Sequence, residues 1–111
     1  MQNAKPLDEV DQQLVTTFKA LANEKRLQIL YWLRDPQAHF PLQQEGDLVA
    51  DGVCGIFIAE KLGITQPTLH EHMRILVNSG IVRQKKIKQW TFYQRDDGKL
   101  SVLAEALSHR V

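Results

Sequence analysis

The spacing of apolar residues near the start of the chain predicts a helix over about residues 8–22. Asp8 and Asp11 lie in its first turn, where the positive end of a helix favours carboxylates. The apolar positions recur every three or four residues and share one face: Leu7, Val10, Leu14, Phe18 and Leu21. That face can be buried in the core of one protomer, or it can take part in an interface between two subunits.

A second helix is predicted from Glu24 to about Arg34, with Asn23 as its N-cap. Its inward face consists of leucines: Leu27, Leu30 and Leu33. Asp35-Pro36 ends it, because the residue before a proline disfavours helical backbone. Residues 36–53 then have no sustained period, so we expect a long loop with a short extended piece at 40–42. Such a loop is an effector or partner surface, or a tolerated insertion.

Residues 55–78 contain two short amphipathic segments that predict a helix-turn-helix. Gly63 can take the left-handed conformation that ends the first helix, Thr65 can cap the second, and Pro67 suits a first turn. The apolar residues of each segment lie on one face: Ile56, Ala59 and Leu62, then Leu69, Met73 and Leu76. The second helix of such a unit can enter the major groove of DNA.

The outward face of that second helix carries side chains suited to DNA. Gln66 can pair with adenine, Glu71 can accept from cytosine, and Arg74 can reach guanine or a phosphate. The full set of predicted contacts on this helix is Thr65, Gln66, Pro67, Thr68, His70, Glu71 and Arg74. The alternative to DNA contact is that this face is simply exposed to solvent. The turn before the helix and the basic segment after it favour DNA contact.

Residues 81–95 predict a two-stranded hairpin, or wing, because β-branched and aromatic residues flank a basic run. The run is suited to phosphate binding, whereas the alternative is a sheet edge kept soluble by lysines. The predicted DNA contacts in the wing are Lys85, Lys86, Lys88 and Gln89. A last amphipathic helix over about 99–109 should join the first helix in a dimer. The predicted interface residues are Val10, Leu14, Phe18, Leu100, Leu103 and Leu107.

Composition narrows the class of protein. With 111 residues and 43% hydrophobic content, we expect a single domain over residues 1–111. The net charge is only +1, so any affinity for nucleic acid must come from a local patch. The single cysteine, the polar N-terminus and the lack of a long apolar run predict a cytoplasmic protein without a signal peptide or membrane span. No nucleophile–base pair or phosphate loop appears, so we expect no enzyme activity.

Two stretches of the sequence, with the basic wing, resemble the ArsR-type winged-helix repressors. They read FKALANEKRLQIL at 18–30 and IAEKLGITQPTLHEHM at 58–73, and the resemblance covers roughly residues 14–95. It implies a mainly α, dimeric winged helix-turn-helix in the order α-α-loop-α-α-β-β-α. It also implies a repressor that binds a double-stranded operator and leaves it on a signal. The candidates for that signal are an unidentified small-molecule effector between the dimer helices, thiol oxidation at Cys54, or none. DNA contact carries over at Gln66 and Thr68, whereas the motif around Pro67, His70 and Glu71 departs from the family.

The resemblance does not extend to metal sensing. Many relatives have a Cys-x-Cys pair where this chain has Cys54 and Ile56, and Glu105 and His109 lack the spacing of the terminal-helix ligands. We therefore expect neither a metal nor a cofactor. Cys54 is a buried inert thiol or, alternatively, a redox switch. The rival function for the whole chain is a protein-interaction module without an operator, since a fold alone does not decide function.

Overall fold

The computed structural model describes residues 6–111 and has the predicted mainly α, winged helix-turn-helix architecture, with six helices and a small sheet over that range. The first five residues lie outside the described part, and so does that portion of the N-terminus on which the prediction of no signal peptide depends. The elements are α1 (Glu9–Leu21), α2 (Glu24–Arg34), α3 (Pro36–His39), β1 (Val53–Cys54), α4 (Gly55–Leu62), α5 (Gln66–Asn78), β2 (Val82–Ile87), β3 (Trp90–Arg95) and α6 (Asp97–Arg110).

Polar side chains cap α1, α2 and α6, and Asn23 is the cap among them that the sequence predicts. Asp8 accepts from the Asp11 amide at 2.8 Å, and Asp11 accepts from the Asp8 amide at 3.2 Å, which forms a reciprocal capping box on α1. Asn23 accepts from the Arg26 amide at 3.1 Å and caps α2. Asp96 does the same for α6 through the Lys99 amide at 2.9 Å. Each cap satisfies an amide that has no partner within its helix.

The wing belongs to a three-stranded antiparallel sheet rather than to an isolated hairpin. β3 is the central strand, with β2 on one side and β1 on the other, in the order β1-β3-β2. Val53 pairs with Tyr93 and Cys54 with Phe92. Residues 40–42, where a short extended piece was predicted, form no strand: Phe40 has extended backbone, but the segment that pairs with β3 is β1. Val53 and Cys54 are both buried, and their pairing satisfies backbone groups on an edge of β3.

The core lies between the helix-turn-helix, α2 and the sheet. The predicted inward face of α5 is confirmed, since Leu69, Met73 and Leu76 are buried. The inward face of α2 is shifted from the prediction: Leu27 is 39% exposed, and Ile29 is fully buried. α2 packs against α1, α5 and β3, so tertiary contacts rather than the leucine spacing select its buried side.

The first and last helices, α1 and α6, pack against each other, and Arg110 at the end of α6 bonds the start of α1. Its guanidinium bonds Asp11 at 2.6 Å and Asp8 at 3.3 Å. Leu14 and Leu103, both predicted at a subunit interface, are each only 6% exposed, because they are packed in the core of one protomer. Val10 and Phe18 are 40% and 45% exposed and remain available to a partner. Leu100 and Leu107 are half-buried.

Candidate DNA-binding surface

The turn between α4 and α5 has the geometry that the sequence predicts. Gly63 ends α4 in the left-handed region at φ 70°, and the amides of Gly63 and Ile64 bond the carbonyls of Glu60 and Ala59, each at 3.1 Å. Thr65 then caps α5 by accepting from the Thr68 amide at 3.3 Å. These bonds close the turn on both sides, so the angle between the two helices is set locally.

The polar face of α5 is exposed along its length. The DNA contacts predicted on this helix and its cap are all exposed: Thr65, Gln66, Pro67, Thr68, His70, Glu71 and Arg74. Leu69 and Met73, on the opposite side, are buried. The Thr65 hydroxyl donates to the Thr68 hydroxyl at 3.0 Å, which leaves the Thr68 proton free to donate to a phosphate.

Glu71 and Arg74 form a two-pronged ion pair on this face. The guanidinium donates to both carboxylate oxygens, at 3.0 and 2.5 Å. The bonds to Arg74 lower the pKa of Glu71 below the ordinary value for glutamate. The same bonds raise the pKa of Arg74 above the ordinary value for arginine. The arginine therefore compensates a carboxylate that would otherwise repel DNA phosphates. Because the pair is exposed, it is weak, and either member can exchange its partner for a base.

Arg26 is a supporting residue that sequence reasoning did not single out. Its guanidinium contacts His72 Nδ1 at 3.2 Å, and it donates to the carbonyls of Ala20 at 2.6 Å and Lys19 at 3.3 Å. It thereby joins the end of α1 and the start of α2 to the recognition helix α5. Burial, followed by the charges of Arg26 and Lys25, lowers the pKa of His72 below its ordinary value, so the neutral ring accepts the bond. His72 is therefore a packed, hydrogen-bonded residue.

The wing turns tightly at Lys88 and Gln89 and has two chemically different faces. Ile87 pairs with Trp90 across the turn, and Lys88 has a positive φ of 56°. Lys86 pairs with Thr91, and the alternation of side chains puts it on the same face as Tyr93, which lies against Gly55 near α5. Lys85 pairs with the buried Phe92 on the other face.

A groove of about 510 Å³ separates the start of α5 from the wing. One side is lined by Gln66, Pro67 and His70, and the other by Gln89, Trp90 and Thr91. The structure thus brings residues predicted on two separate elements to one surface. Phe92 is 1% exposed and anchors the wing, whereas Trp90 is only half-buried at the groove.

Most of the positive side chains of the sheet have acidic partners. Lys85 contacts Asp51 at 2.5 Å and Lys88 contacts Glu45 at 2.8 Å. Arg83 lies 3.5 Å from Asp96, and Arg95 bonds Asp97 at 2.7 Å and the Leu30 carbonyl at 3.2 Å. Lys86 is exposed and has no acidic partner within residues 6–111. The basic run therefore contributes less free charge than its sequence indicates.

Cys54 lies at the junction of β1 and α4. The residue is 8% exposed, and its amide donates to Gln43 Oε1 at 2.7 Å. Within residues 6–111, no cluster of three His, Cys, Asp or Glu side chains is arranged to hold a metal ion. In the same part of the chain, no helix has the length and apolar character needed to cross a membrane.

Residues 54–84, which span the helix-turn-helix and the first wing strand, match the family described as bacterial regulatory protein, arsR family. The HTH-type transcriptional regulator YbzH of Bacillus subtilis is 38% identical over 97 residues, which cover 87% of this chain and 97% of YbzH. The chain belongs to the ArsR family. The arsenical resistance operon repressor of the same organism is 28% identical, over 91% of this chain and 88% of the repressor.

A solved structure agrees with the architecture. The structure of HlyU from Vibrio cholerae is 25% identical, with a TM-score of 0.63 over 93% of this chain and 96% of HlyU, and HlyU is described as a transcriptional activator. ArsR-family regulators bind DNA and form homodimers. Membership in this family of transcriptional regulators, rather than enzymes, confirms the expectation that the chain is not an enzyme.

Proposed function

We propose that this ArsR-family protein is a homodimeric repressor that binds an inverted-repeat operator. The helix α5 contacts the bases of the operator, and the wing binds the phosphates of the DNA backbone. The observation that carries the proposal is the exposed polar face of α5, which lies across a shared groove from the wing, the element that carries the exposed Lys86. Two such helices in a symmetric dimer would meet successive major grooves about 34 Å apart. The operator should therefore contain two half-sites related by a two-fold axis.

The side chains divide into base contacts and phosphate contacts. Gln66 and Arg74 are suited to base edges, and Glu71 can accept from cytosine when it leaves Arg74. Pro67 and His70 lie beside them on the groove wall. Thr65, Thr68, Lys86 and Gln89 are suited to phosphate, because hydroxyl, amide and ammonium groups at a helix start and a hairpin tip can donate to phosphate oxygens. Lys85 and Lys88 are in the wing but are tied to carboxylates.

The dimer interface is proposed on α1 and α6. Exposed apolar side chains remain on α1 beside its buried stripe, since Val15 is 41% and Phe18 is 45% exposed. Leu7, before α1, is 58% exposed, and Val102 on α6 is 63% exposed. Side chains of this kind favour burial against a second copy, because each exposes apolar surface to water. Val10, Leu100 and Leu107 extend this surface, while Leu14 and Leu103 support it from the core.

An effector site is proposed between the 41–45 segment and the wing. A groove of about 640 Å³ there is lined partly by Phe57, Trp90 and Cys54. Its size and mostly apolar walls suit a small organic molecule. Because Lys88 and Gln89 also line it, an occupant would bear directly on the wing tip. Quenching of tryptophan fluorescence during a ligand screen, with Trp90→Phe as the control, would detect such a molecule.

The DNA-binding proposal is tested by fluorescence anisotropy of the purified protein with its own promoter and with a scrambled duplex. Lys86→Ala should weaken binding to both duplexes and reduce the slope of log K against log salt by roughly 0.9. Lys99→Ala, which makes the same charge change at the start of α6, is the matched control and should leave the slope unchanged. Gln66→Ala should reduce the preference for the promoter instead.

Absent or salt-insensitive binding by the native protein would refute the proposal. A stable protein partner in a pull-down, without any shift of promoter DNA, would favour the interaction module. Repression itself is tested with a promoter–reporter fusion: deletion of the gene should raise expression, whereas a fall would indicate an activator like HlyU.

A further inference from the structure

The 43–52 segment is an ordered part of the structure that contacts the wing, although its sequence resembles a tolerated insertion. The Gln43 side chain accepts from the Cys54 amide at 2.7 Å and donates to the Gly52 carbonyl at 3.0 Å. Asp47 accepts from the amides of Val49 and Ala50 at 3.0 and 2.8 Å, and Leu48 is buried in the core. These contacts fix the position of the segment from within.

The segment covers one face of the wing at close range. A Cβ at Gly46 would lie 2.7 Å from the Phe92 ring, and one at Gly52 would lie 2.4 Å from the Tyr93 carbonyl oxygen. The Gln94 side chain donates to the Val49 carbonyl. Side chains on the segment are therefore held at defined positions along β2 and β3.

Two carboxylates of the segment meet two lysines of the wing. Asp51 Oδ1 lies 2.5 Å from Lys85 Nζ, and Glu45 Oε1 lies 2.8 Å from Lys88 Nζ. The Asp47 amide, followed by Lys85, lowers the pKa of Asp51, and Glu45 raises the pKa of Lys88. Both shifts favour the charged form, so each ion pair contains a group whose charge its partners stabilise. The lysine side chains are 56% and 65% exposed, so a phosphate could reach them and would compete with the carboxylates.

We infer that Asp51 and Glu45 are positioning residues that restrain Lys85 and Lys88 from DNA phosphates, so that Lys86 acts as the wing's free cation. The inference rests on the proposed DNA-binding function and assigns the 43–52 segment a role within it. A lysine held by a carboxylate on its own chain gains little from a phosphate, because one ion pair replaces another. The segment thereby limits sequence-independent affinity and leaves discrimination to α5.

The inference predicts that neutralising either carboxylate strengthens binding to every DNA sequence. A released lysine that takes up a phosphate adds roughly 0.9 to the magnitude of the salt slope, which corresponds to about eightfold tighter binding at 0.1 M salt. Asp51→Asn and Glu45→Gln should each have this effect on promoter and scrambled duplexes alike. Asp35→Asn, an exposed carboxylate with no capping bond and the same charge change, is the matched control and should leave the slope unaltered.

A double-mutant cycle separates release of a particular lysine from a general change in charge. The gain from Asp51→Asn should disappear when Lys85 is alanine but persist when Lys88 is alanine, and the gain from Glu45→Gln should show the reverse dependence. Because Asp51 also accepts from the Asp47 amide at 2.7 Å, thermal unfolding of each variant should be measured alongside. Glu45→Gln, which changes no backbone bond of Glu45 in the structure, keeps the test available if Asp51→Asn does not fold.

Two results would overturn the inference while leaving the proposed function intact. One is salt-dependent binding by the native protein with slopes for Asp51→Asn and Glu45→Gln equal to that of Asp35→Asn. The other is a gain that persists in both lysine backgrounds, because it would reflect net charge rather than released lysines. A native protein that binds no DNA would instead refute the proposed function.

Discussion

The recognition helix and the wing both expose charged side chains, but their charges are compensated in different ways. On α5, Glu71 and Arg74 are three residues apart and pair within one turn of helix. In the wing, Lys85 and Lys88 pair with Asp51 and Glu45, which lie 34 and 43 residues earlier in the chain. An exposed cation is therefore not necessarily an available one. Availability on α5 depends on a local pair, whereas in the wing it depends on how a distant segment packs.

The largest expected effect concerns the backbone of the 43–52 segment, which positions the carboxylates on the wing, compared with the turn that precedes α5. Gly52→Ala would force a Cβ to within 2.4 Å of the Tyr93 carbonyl at φ 103°, so it should lower the free energy of unfolding by about 3 kcal/mol. Gly63→Ala, at φ 70° with open space around the site, should cost only about 1 kcal/mol. Urea denaturation of both variants measures the contrast. Equal losses would mean that the 43–52 segment does not pack tightly on the sheet.

A smaller effect should distinguish the two kinds of ion pair. Glu71→Gln frees Arg74 next to the bases, so it should change the ratio of affinities for operators that differ at one position by several-fold, within the 1–3 kcal/mol that a base contact is worth. Asp51→Asn should strengthen binding without changing that ratio. Competition anisotropy with a set of single-base operator variants measures both ratios. An unchanged ratio for Glu71→Gln would remove Glu71 and Arg74 from the set of specificity residues.

The smallest expected effect is a pH dependence of stability caused by His72, which lies on the inner side of the recognition helix. The pKa of His72 is lower in the folded protein than its ordinary value, so the unfolded chain binds the proton more readily. Stability should therefore be complete above about pH 6.5, the ordinary His value. It should decrease as the pH falls from there toward the folded-state pKa, and then level off. Urea denaturation between pH 5 and 8 measures this, and His72→Gln should flatten the profile in that window.

The sequence alone determined the elements whose causes are local. The apolar stripe of α5, the caps at Asn23 and Thr65, and the left-handed end at Gly63 depend on residues a few positions apart, so the helix-turn-helix and the polar face of α5 were predictable. Their linked order was also enough to indicate the family. Operator contacts, the dimer interface and the effector remain proposals.

Only the tertiary structure decided which of the predicted residues are free to act. It buried Leu14 and Leu103 within one protomer, turned Leu27 outward, and formed β1 at Val53 rather than at 40–42. It also paired Lys85 and Lys88 with carboxylates. Each outcome depends on groups distant in sequence that meet only in the folded chain, and no local periodicity encodes such meetings. The helix-turn-helix could be predicted from residue spacing. Which lysines of the neighbouring wing are free of carboxylates depends on tertiary packing alone.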